Sequence, residues 1–202
     1  MKRDTPKTVE QDLTEHLISL PFDACLKVVA LLLTRLGYDQ VQHAGRRDFK
    51  GRNGKDGARG YDLMAWKDSR RVLVQVKQFD RGRSLFSRSV DELRGVALRE
   101  SVGEALLITL GSFSPSVDRH ALLSAPYVPV RTMDGSQLIG MLIQNDIGVI
   151  RGGKDIDAAF FSRLERDAMG NRPGDCQGEP TLLVEVSVKR VPPKRTPTLA
   201  HS

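Results

Sequence analysis

Apolar side chains recur at helical spacing near the N-terminus and predict two successive helices. In residues 9–20 and again in residues 22–36, hydrophobic positions lie three or four residues apart, which places them on one face of a helix. These positions are Leu13, Leu17 and Leu20 in the first segment and Leu26, Val29, Ala30, Leu33 and Leu36 in the second. Pro21 separates or kinks the two helices, since proline lacks the amide hydrogen that a helix interior needs. Gly37 ends the second helix.

Strand-like segments follow, and helical segments alternate with most of them. The predicted strands are 39–44, Tyr61–Trp66, Arg71–Gln78, Ala105–Leu110 and Val128–Thr132. The predicted helices are 88–101, 115–123 and 134–144. Ala105–Leu110 is apolar except for Thr109, which indicates a strand buried on both faces. This alternation predicts an α/β or α+β domain with helices packed on a sheet.

The character of the chain changes along its length and predicts four regions. Residues 1–20 form an N-terminal helical extension, and residues 21–150 form the main sheet domain. Residues 151–188 form a C-terminal extension, in which 155–168 has the pattern of an acidic amphipathic helix. Residues 189–202 form a basic tail that we expect to be disordered, because it has almost nothing apolar to bury.

The composition is typical of a water-soluble globular protein, with 40% hydrophobic and 28% charged residues. The longest apolar run, Val28–Leu33, is too short to span a bilayer, and no apolar stretch follows the charged N-terminus as a secretory signal requires. The two cysteines, Cys25 and Cys176, support neither a disulfide framework nor a zinc site. We therefore expect a cytoplasmic protein that has no membrane partner.

Positive charge is concentrated in one central segment and in the tail. Residues 43–99 carry 15 basic and 7 acidic side chains, whereas the whole chain has a net charge of +6. Residues 1–42 and 100–188 are both net negative. Such a basic region attracts a polyanion such as double-stranded DNA. Charge alone is equally consistent with a solvated surface and a solubilising tail.

The second and third predicted strands form a hairpin that gathers polar side chains. If Asp68 and Ser69 are the centre of its turn, the numbers of paired residues sum to 137, so that Asp62 lies opposite Gln75. Side chains alternate along a strand, so Lys77 projects from the same face as Gln75. The opposite face is apolar and can only be core. The polar face then gathers a carboxylate, an amide and an ammonium group.

This trio suits the hydrolysis of a phosphodiester bond. Mg²⁺ prefers hard oxygen ligands, which Asp62, the Gln75 amide and the backbone carbonyl of Val76 can supply. Lys77 can orient or deprotonate the attacking water and offset negative charge that develops on the phosphate. The same residues can also form a surface Asp–Lys pair beside a hydrophilic glutamine, which contributes less than about 1 kcal/mol.

The run Gly60–Leu63, followed by Leu73–Lys77, resembles the Asp…Gln-x-Lys core of Mrr-like (type IV-like) restriction endonucleases, a branch of the PD-(D/E)XK nuclease superfamily. Further blocks resemble the family in the same order, namely Val29–Tyr38, Val90–Gly95, Ala105–Ser114 and Met133–Leu138. The resemblance covers roughly residues 22–150. It implies a restriction-endonuclease-like central mixed β-sheet flanked by helices, with an α-β-β-β-α-β core. It also implies Mg²⁺ dependence, DNA cleavage, and catalytic roles for Asp62, Gln75 and Lys77.

Several features depart from the family pattern. The approach to the aspartate, Gly45–Gly60, is longer than usual and carries six basic residues. The first helix of the family commonly supplies a glutamate, but Leu26 occupies that position here. Asp23, one turn earlier, can substitute as a metal ligand; otherwise one ligand is missing. We expect no separate targeting domain before the nuclease module, so that recognition comes from the module, the tail or a partner.

Basic residues in the two loops beside the predicted site are candidates for DNA contact, because arginine and lysine bind phosphate readily. They are Arg46, Arg47, Lys50, Arg52, Arg59, Arg81, Arg83 and Arg88.

We predict a Mg²⁺-dependent DNA endonuclease of restriction or defence type. A junction-resolving or repair nuclease has the same residues. From a different class, the alternative is a catalytically impaired DNA-binding or assembly protein on the same fold. The chain can also be a subunit whose activity needs a protein partner, bound through the C-terminal region. Double-strand cleavage needs two active sites, which favours a homodimer.

Overall fold

The computed structural model describes residues 7–44, 60–78, 84–117, 121 and 128–170. Its helices are α1 (Val9–Ser19), α2 (Phe22–Arg35), α3 (Ser87–Arg99), α4 (Gly135–Gln144) and α5 (Ala158–Gly170). Its strands are β1 (Val41–His43), β2 (Leu63–Lys67), β3 (Arg70–Lys77), β4 (Ser84–Leu85), β5 (Glu104–Thr109), β6 (Ser112–Phe113) and β7 (Val130–Met133). Within this part of the chain, no helix has the length and apolar character needed to cross a bilayer.

Five strands form one mixed sheet in the order β1-β2-β3-β5-β7. β1, β2 and β3 pair antiparallel, whereas β3, β5 and β7 pair parallel. The amino end of β2 therefore meets the carboxyl ends of β3, β5 and β7 at one side of the sheet, which we call the site edge. With helices packed on both faces, this is the central mixed sheet flanked by helices that the sequence predicts.

Each face of the sheet is covered by its own hydrophobic core. One core joins the sheet to α1, α2, α4 and Phe161 of α5, and the other joins the opposite face to α3. Strand β5 contributes to both, because Leu106 and Ile108 face the first core while Ala105 and Leu107 face the second. The prediction that this strand is buried on both faces is confirmed.

The hairpin turn sets the register of β2 against β3. Asp68 and Ser69 both have positive φ, 50° and 63°, as the type I′ turn of a two-residue hairpin requires. Pairing runs from Lys67 opposite Arg70 to Leu63 opposite Val74, and every pair sums to 137 as predicted. The polar face of the hairpin is more enclosed than predicted, because Leu73 on that face is 0% exposed beneath α3. The predicted polar face is therefore reduced to the site edge.

One feature of the fold was not predicted, and some predicted features lie partly or wholly outside the described residues. The short strands β4 and β6 form a separate parallel pair that hydrophobic patterning did not indicate. The predicted helix 115–123 is described only at 115–117 and 121, and residues 171–202 lie outside the described part. Leu13 of α1 lies in the same core as the sheet. The division into four regions remains a prediction.

The start of α4 packs directly against the loop that leaves β5. Asp134 is the N-cap, as predicted, and its side chain accepts the amide of Gln137 at 2.8 Å. The Gly135 amide donates to the Gly111 carbonyl at 2.9 Å, and a Cβ at position 135 would overlap the Leu110 carbonyl. Only glycine fits this contact.

Gly135→Ala is expected to lower the free energy of unfolding by about 1–3 kcal/mol, because the added methyl group overlaps backbone that has little room to move. Gly140→Ala in the same helix is the matched control. A Cβ there meets nothing within 4 Å, so it should raise stability by up to about 1 kcal/mol. Urea denaturation of both variants checks this, and equal effects would contradict the overlap at position 135.

Candidate active site

Asp62 is held at the amino end of β2 by bonds to both neighbouring strands. Its amide donates to the Val74 carbonyl at 2.8 Å, and its own carbonyl accepts the amide of Ala44 at 2.9 Å. Its carboxylate Oδ2 accepts the amide of Val76 at 2.7 Å. The side chain of Asp62 thus takes the place of the backbone carbonyl that would have continued the ladder between β2 and β3.

The contact with the Val76 amide brings the carboxylate beside the other predicted site residues. Because the N–H and C=O of one strand residue point to the same neighbour, the Val76 carbonyl is also directed to the Asp62 side of β3. Gln75 and Lys77 flank Val76, and their half-buried side chains share one face of the strand. The structure therefore brings Asp62, Gln75, Val76 and Lys77 together at the site edge.

The first turn of α2 lies close to the same place. Asp23 is exposed there. Burial lowers the pKa of His43 below its usual value, and the negative charge of Asp23 opposes that shift. His43 is the residue before Ala44, which bonds to Asp62. Leu26 is 4% exposed and belongs to the hydrophobic core, so it contributes nothing to a polar site.

The donor set at the site edge is poor in carboxylates. Among the residues that the structure describes, no group of three or more histidine, cysteine, aspartate or glutamate side chains is arranged to hold a metal ion. A cation here would depend on amide, backbone and water oxygens in addition to Asp62. Mg²⁺ accepts such a mixture, because it is commonly bound through one or two carboxylates and keeps several waters.

Two polar side chains outside the Asp62, Gln75 and Lys77 trio hold the end of β3. The Thr109 hydroxyl donates to the Lys77 carbonyl at 3.1 Å. The Gln78 amide nitrogen donates to carbonyls at the end of α1, including that of Leu20 at 2.8 Å. The sequence indicates that Thr109 has a special role, because it is the one polar residue in the predicted apolar strand Ala105–Leu110. Nothing in the local sequence indicated the partners of Gln78.

The loop residues predicted to contact DNA fall mostly outside the described part. Among them only Arg88 is described. It lies in the first turn of α3 with its side chain 88% exposed, and its Nε donates to Glu92 at 2.8 Å. The remaining seven belong to segments 45–59 and 79–83. Three of the four described residues that border these segments, Ala44, Gly60 and Gln78, adjoin the site edge, and the fourth, Ser84, begins β4.

Gly60 shapes the approach to Asp62. Its φ is +83°, a conformation that side-chain-bearing residues rarely adopt, and a Cβ there would lie 2.6 Å from Cγ2 of Val96. The chain can therefore pass close to α3 just before it reaches the aspartate.

Solved structures of restriction endonucleases have a similar fold. The chain aligns with the DNA modification-dependent restriction endonuclease AspBHI at 14% identity with a TM-score of 0.54, over 80% of this chain and 41% of that one. It aligns with the MspJI restriction endonuclease, solved in complex with a 27-mer oligonucleotide, at 19% identity with a TM-score of 0.50, over 81% and 37%. The chain thus spans less than half the length of either enzyme. These likenesses define the class of fold, that of restriction endonucleases.

The sequence match identifies the family. The Mrr_cat family model, described as restriction endonuclease, matches residues 23–142, which is more than half of the chain. No curated protein gives a significant match. The chain belongs to the Mrr-like restriction endonuclease family, as the resemblance of its motifs predicts.

The thiol of Cys25 is buried in α2, and its pKa is affected by the charge of Asp62. Burial, followed by the negative charge of Asp62, raises the pKa of this thiol from 9.0 to about 12. The unfolded chain therefore loses the thiol proton at lower pH than the folded chain. Its contribution to stability is complete below pH 9 and is lost as pH rises towards 12.

Comparison with Cys25→Ala isolates this effect, because both proteins share every other titrating group. We expect the difference in unfolding free energy between wild type and variant to shrink steadily above pH 9. Urea denaturation at pH 8, 9, 10 and 11 measures it. A difference that stays constant over this range would show that the thiol is not buried beside Asp62.

Proposed function

We propose that the chain is a Mg²⁺-dependent endonuclease that hydrolyses phosphodiester bonds of double-stranded DNA. The observation that carries this proposal is the 2.7 Å bond from the Val76 amide to the Asp62 carboxylate. It joins the aspartate to the strand that bears Gln75 and Lys77. The Asp62 carboxylate, the Gln75 amide and the Lys77 ammonium group would then act together at the point where β2 stops pairing with β3.

The oxygen donors at this gap fit a hard cation. Asp62, the Gln75 amide and the Val76 carbonyl would hold Mg²⁺, and Asp23 at the start of α2 is the candidate for a further ligand. A bound Mg²⁺ would polarise the phosphate and increase the acidity of a coordinated water. The protein contributes the fixed direction of these oxygens, since β3 is paired on its other side by β5.

Lys77 would act on the attacking water and on the charge of the phosphate. Its ammonium group projects from the same face as Gln75, so it adjoins the metal-binding oxygens without being one of the ligands. From there it can orient the water or, in its neutral form, accept the water's proton. As a cation it offsets the negative charge that develops on the phosphate oxygens in the transition state.

The DNA-binding surface is proposed to surround the site edge. The two basic segments begin or end at residues that adjoin it, and residues 43–99 carry 15 of the 31 lysine and arginine residues of the chain but only 7 of its 25 acidic residues. Arg46, Arg47, Lys50, Arg52, Arg59, Arg81, Arg83 and Arg88 are the proposed phosphate contacts. Phosphate contacts of this kind bind DNA of any sequence and weaken as salt concentration rises.

Lys77→Ala is expected to reduce plasmid cleavage by at least about a hundredfold while DNA affinity changes little, since the lysine serves the reaction more than binding. Lys67→Ala is the matched control from the far end of the same hairpin, where the Lys67 ammonium donates to the Leu36 carbonyl. Cleavage with Mg²⁺ and binding of labelled duplex are measured for both. Full cleavage by the Lys77 variant would refute the assigned role.

A catalytically impaired DNA-binding or assembly protein is the second candidate, and the burial of Leu26 favours it. The family's usual helix glutamate is absent, and the side chain in its place faces the core. Titration of Mg²⁺ by calorimetry separates the two functions. The nuclease predicts measurable binding that Asp62→Asn weakens at least about tenfold, because it loses a charged ligand. No Mg²⁺ binding by the wild type would contradict the nuclease and favour the second candidate.

Cleavage of both strands would require two copies of the site, so we propose that the active form is a homodimer. A protein partner bound through the C-terminal region remains the other proposed association. The structural neighbour AspBHI is a DNA modification-dependent enzyme. Methylated and unmethylated plasmids are therefore the informative pair of substrates for this chain.

A further inference from the structure

The backbone around Lys77 loses one of its neighbouring strands just where the proposed catalytic side chains begin. Pairing of β2 with β3 ends at Leu63 and Val74, and pairing of β5 with β3 ends at Thr109 and Lys77. Lys77 is therefore the last residue of β3, with a strand on one side only. The position of a side chain at the end of a strand is fixed only as firmly as the backbone that carries it.

Thr109 fixes the carbonyl side of this backbone. Its hydroxyl donates to the Lys77 carbonyl at 3.1 Å and accepts the Gly111 amide at 3.0 Å. The Leu110 amide donates to the same Lys77 carbonyl at 3.2 Å. Thr109 is 0% exposed in a strand that is otherwise apolar at its buried positions. Packing alone would be satisfied by valine, which has the same shape without the hydroxyl.

Gln78 fixes the next residue along the chain. Its amide nitrogen donates to the carbonyls of Leu17, Ile18 and Leu20 at 2.9, 3.3 and 2.8 Å. These carbonyls belong to the C-terminal end of α1, where a helix has no backbone donors of its own left to satisfy them. One side chain thus joins the end of β3 to a helix that lies in the first core.

We propose that Thr109 and Gln78 are positioning residues that together hold Lys77 in its reactive orientation. The inference rests on the proposed nuclease function. Neither residue touches the reacting atoms: Thr109 acts through the Lys77 carbonyl, and Gln78 acts through the peptide that follows Lys77. The two anchors replace the support that β2 no longer gives, and they explain a buried hydroxyl and a threefold amide contact next to the site.

Arg71 offers a matched control for the purely structural part of this role. It lies near the opposite end of β3, and its guanidinium donates to the Glu100 and Ser101 carbonyls at 3.4 and 3.1 Å. Arg71 thus joins the same strand to the end of α3 in the way that Gln78 joins it to the end of α1. Loss of the Arg71 contact tests helix anchoring without disturbing the site edge.

The experiment measures kcat and KM for plasmid cleavage in Thr109→Val, Thr109→Ser, Gln78→Met and Arg71→Met, at a temperature where circular dichroism shows each to be folded. Misplacing a catalytic group by about 1 Å lowers the rate roughly a hundredfold. Thr109→Val and Gln78→Met should therefore lower kcat by about tenfold to a hundredfold with KM little changed. Thr109→Ser, which keeps the hydroxyl, and Arg71→Met should stay within about threefold of wild type.

Equal kcat in Thr109→Val and Thr109→Ser would overturn the role of Thr109, and a loss in Arg71→Met as large as in Gln78→Met would overturn that of Gln78. Amide hydrogen exchange gives a readout that needs no activity: the Leu110 and Gly111 amides should exchange at least about tenfold faster in Thr109→Val. Unchanged exchange would show that the hydroxyl does not hold this backbone. If exchange is faster in Thr109→Val but the wild type binds DNA without ever cleaving it, the nuclease function is refuted and the anchoring of this backbone is not.

Discussion

The bond between the Asp62 carboxylate and the Val76 amide is the interaction on which the site depends. At the point where β2 stops pairing, the Val76 amide needs an acceptor, because an unpaired buried amide is costly. A carboxylate supplies it at 2.7 Å, so the requirement of the backbone fixes the position of a negative charge. The glycine at position 60, with its φ of +83°, lets the chain approach this point beside α3.

The mixed topology of the sheet makes this arrangement possible. β3 pairs antiparallel with β2 and parallel with β5. The first residues of β2 therefore lie beside the last residues of β3 and β5 at the same edge of the sheet. Away from that edge, both faces of β3 are closed by hydrophobic cores, with Val74 on one side and Leu73 on the other. Polar chemistry is therefore confined to the last residues of the strand. β3 therefore contributes to the hydrophobic cores along most of its length and to the polar site only at its carboxyl end.

Local chemistry explains which parts of this arrangement were predictable. The register followed from a two-residue turn at Asp68 and Ser69 together with strict alternation of side chains, and both depend only on neighbours in sequence. The enclosure of the polar face did not follow, because Leu73 is covered by α3 from later in the chain. The partners of Gln78 lie 58 to 61 residues away, and no periodicity or motif encodes contacts at that distance. The sequence therefore predicts well where residues lie within the hairpin. It does not predict the contacts from α1 and α3 that hold them in place, because these helices are distant in the chain.

Helix α2 limits how the site can gain a second carboxylate. Its inward face, which includes Cys25 and Leu26, belongs to the hydrophobic core, and the charge of Asp62 is felt at Cys25. A carboxylate at position 26 would be buried in apolar surroundings, which strongly disfavours its ionised form. Asp23 is the acidic residue in the first turn of the helix, where it is exposed and acts electrostatically on His43 beside the site. In the proposed nuclease, a carboxylate ligand from α2 would therefore come from this exposed turn, where the packing that buries Leu26 leaves Asp23 accessible.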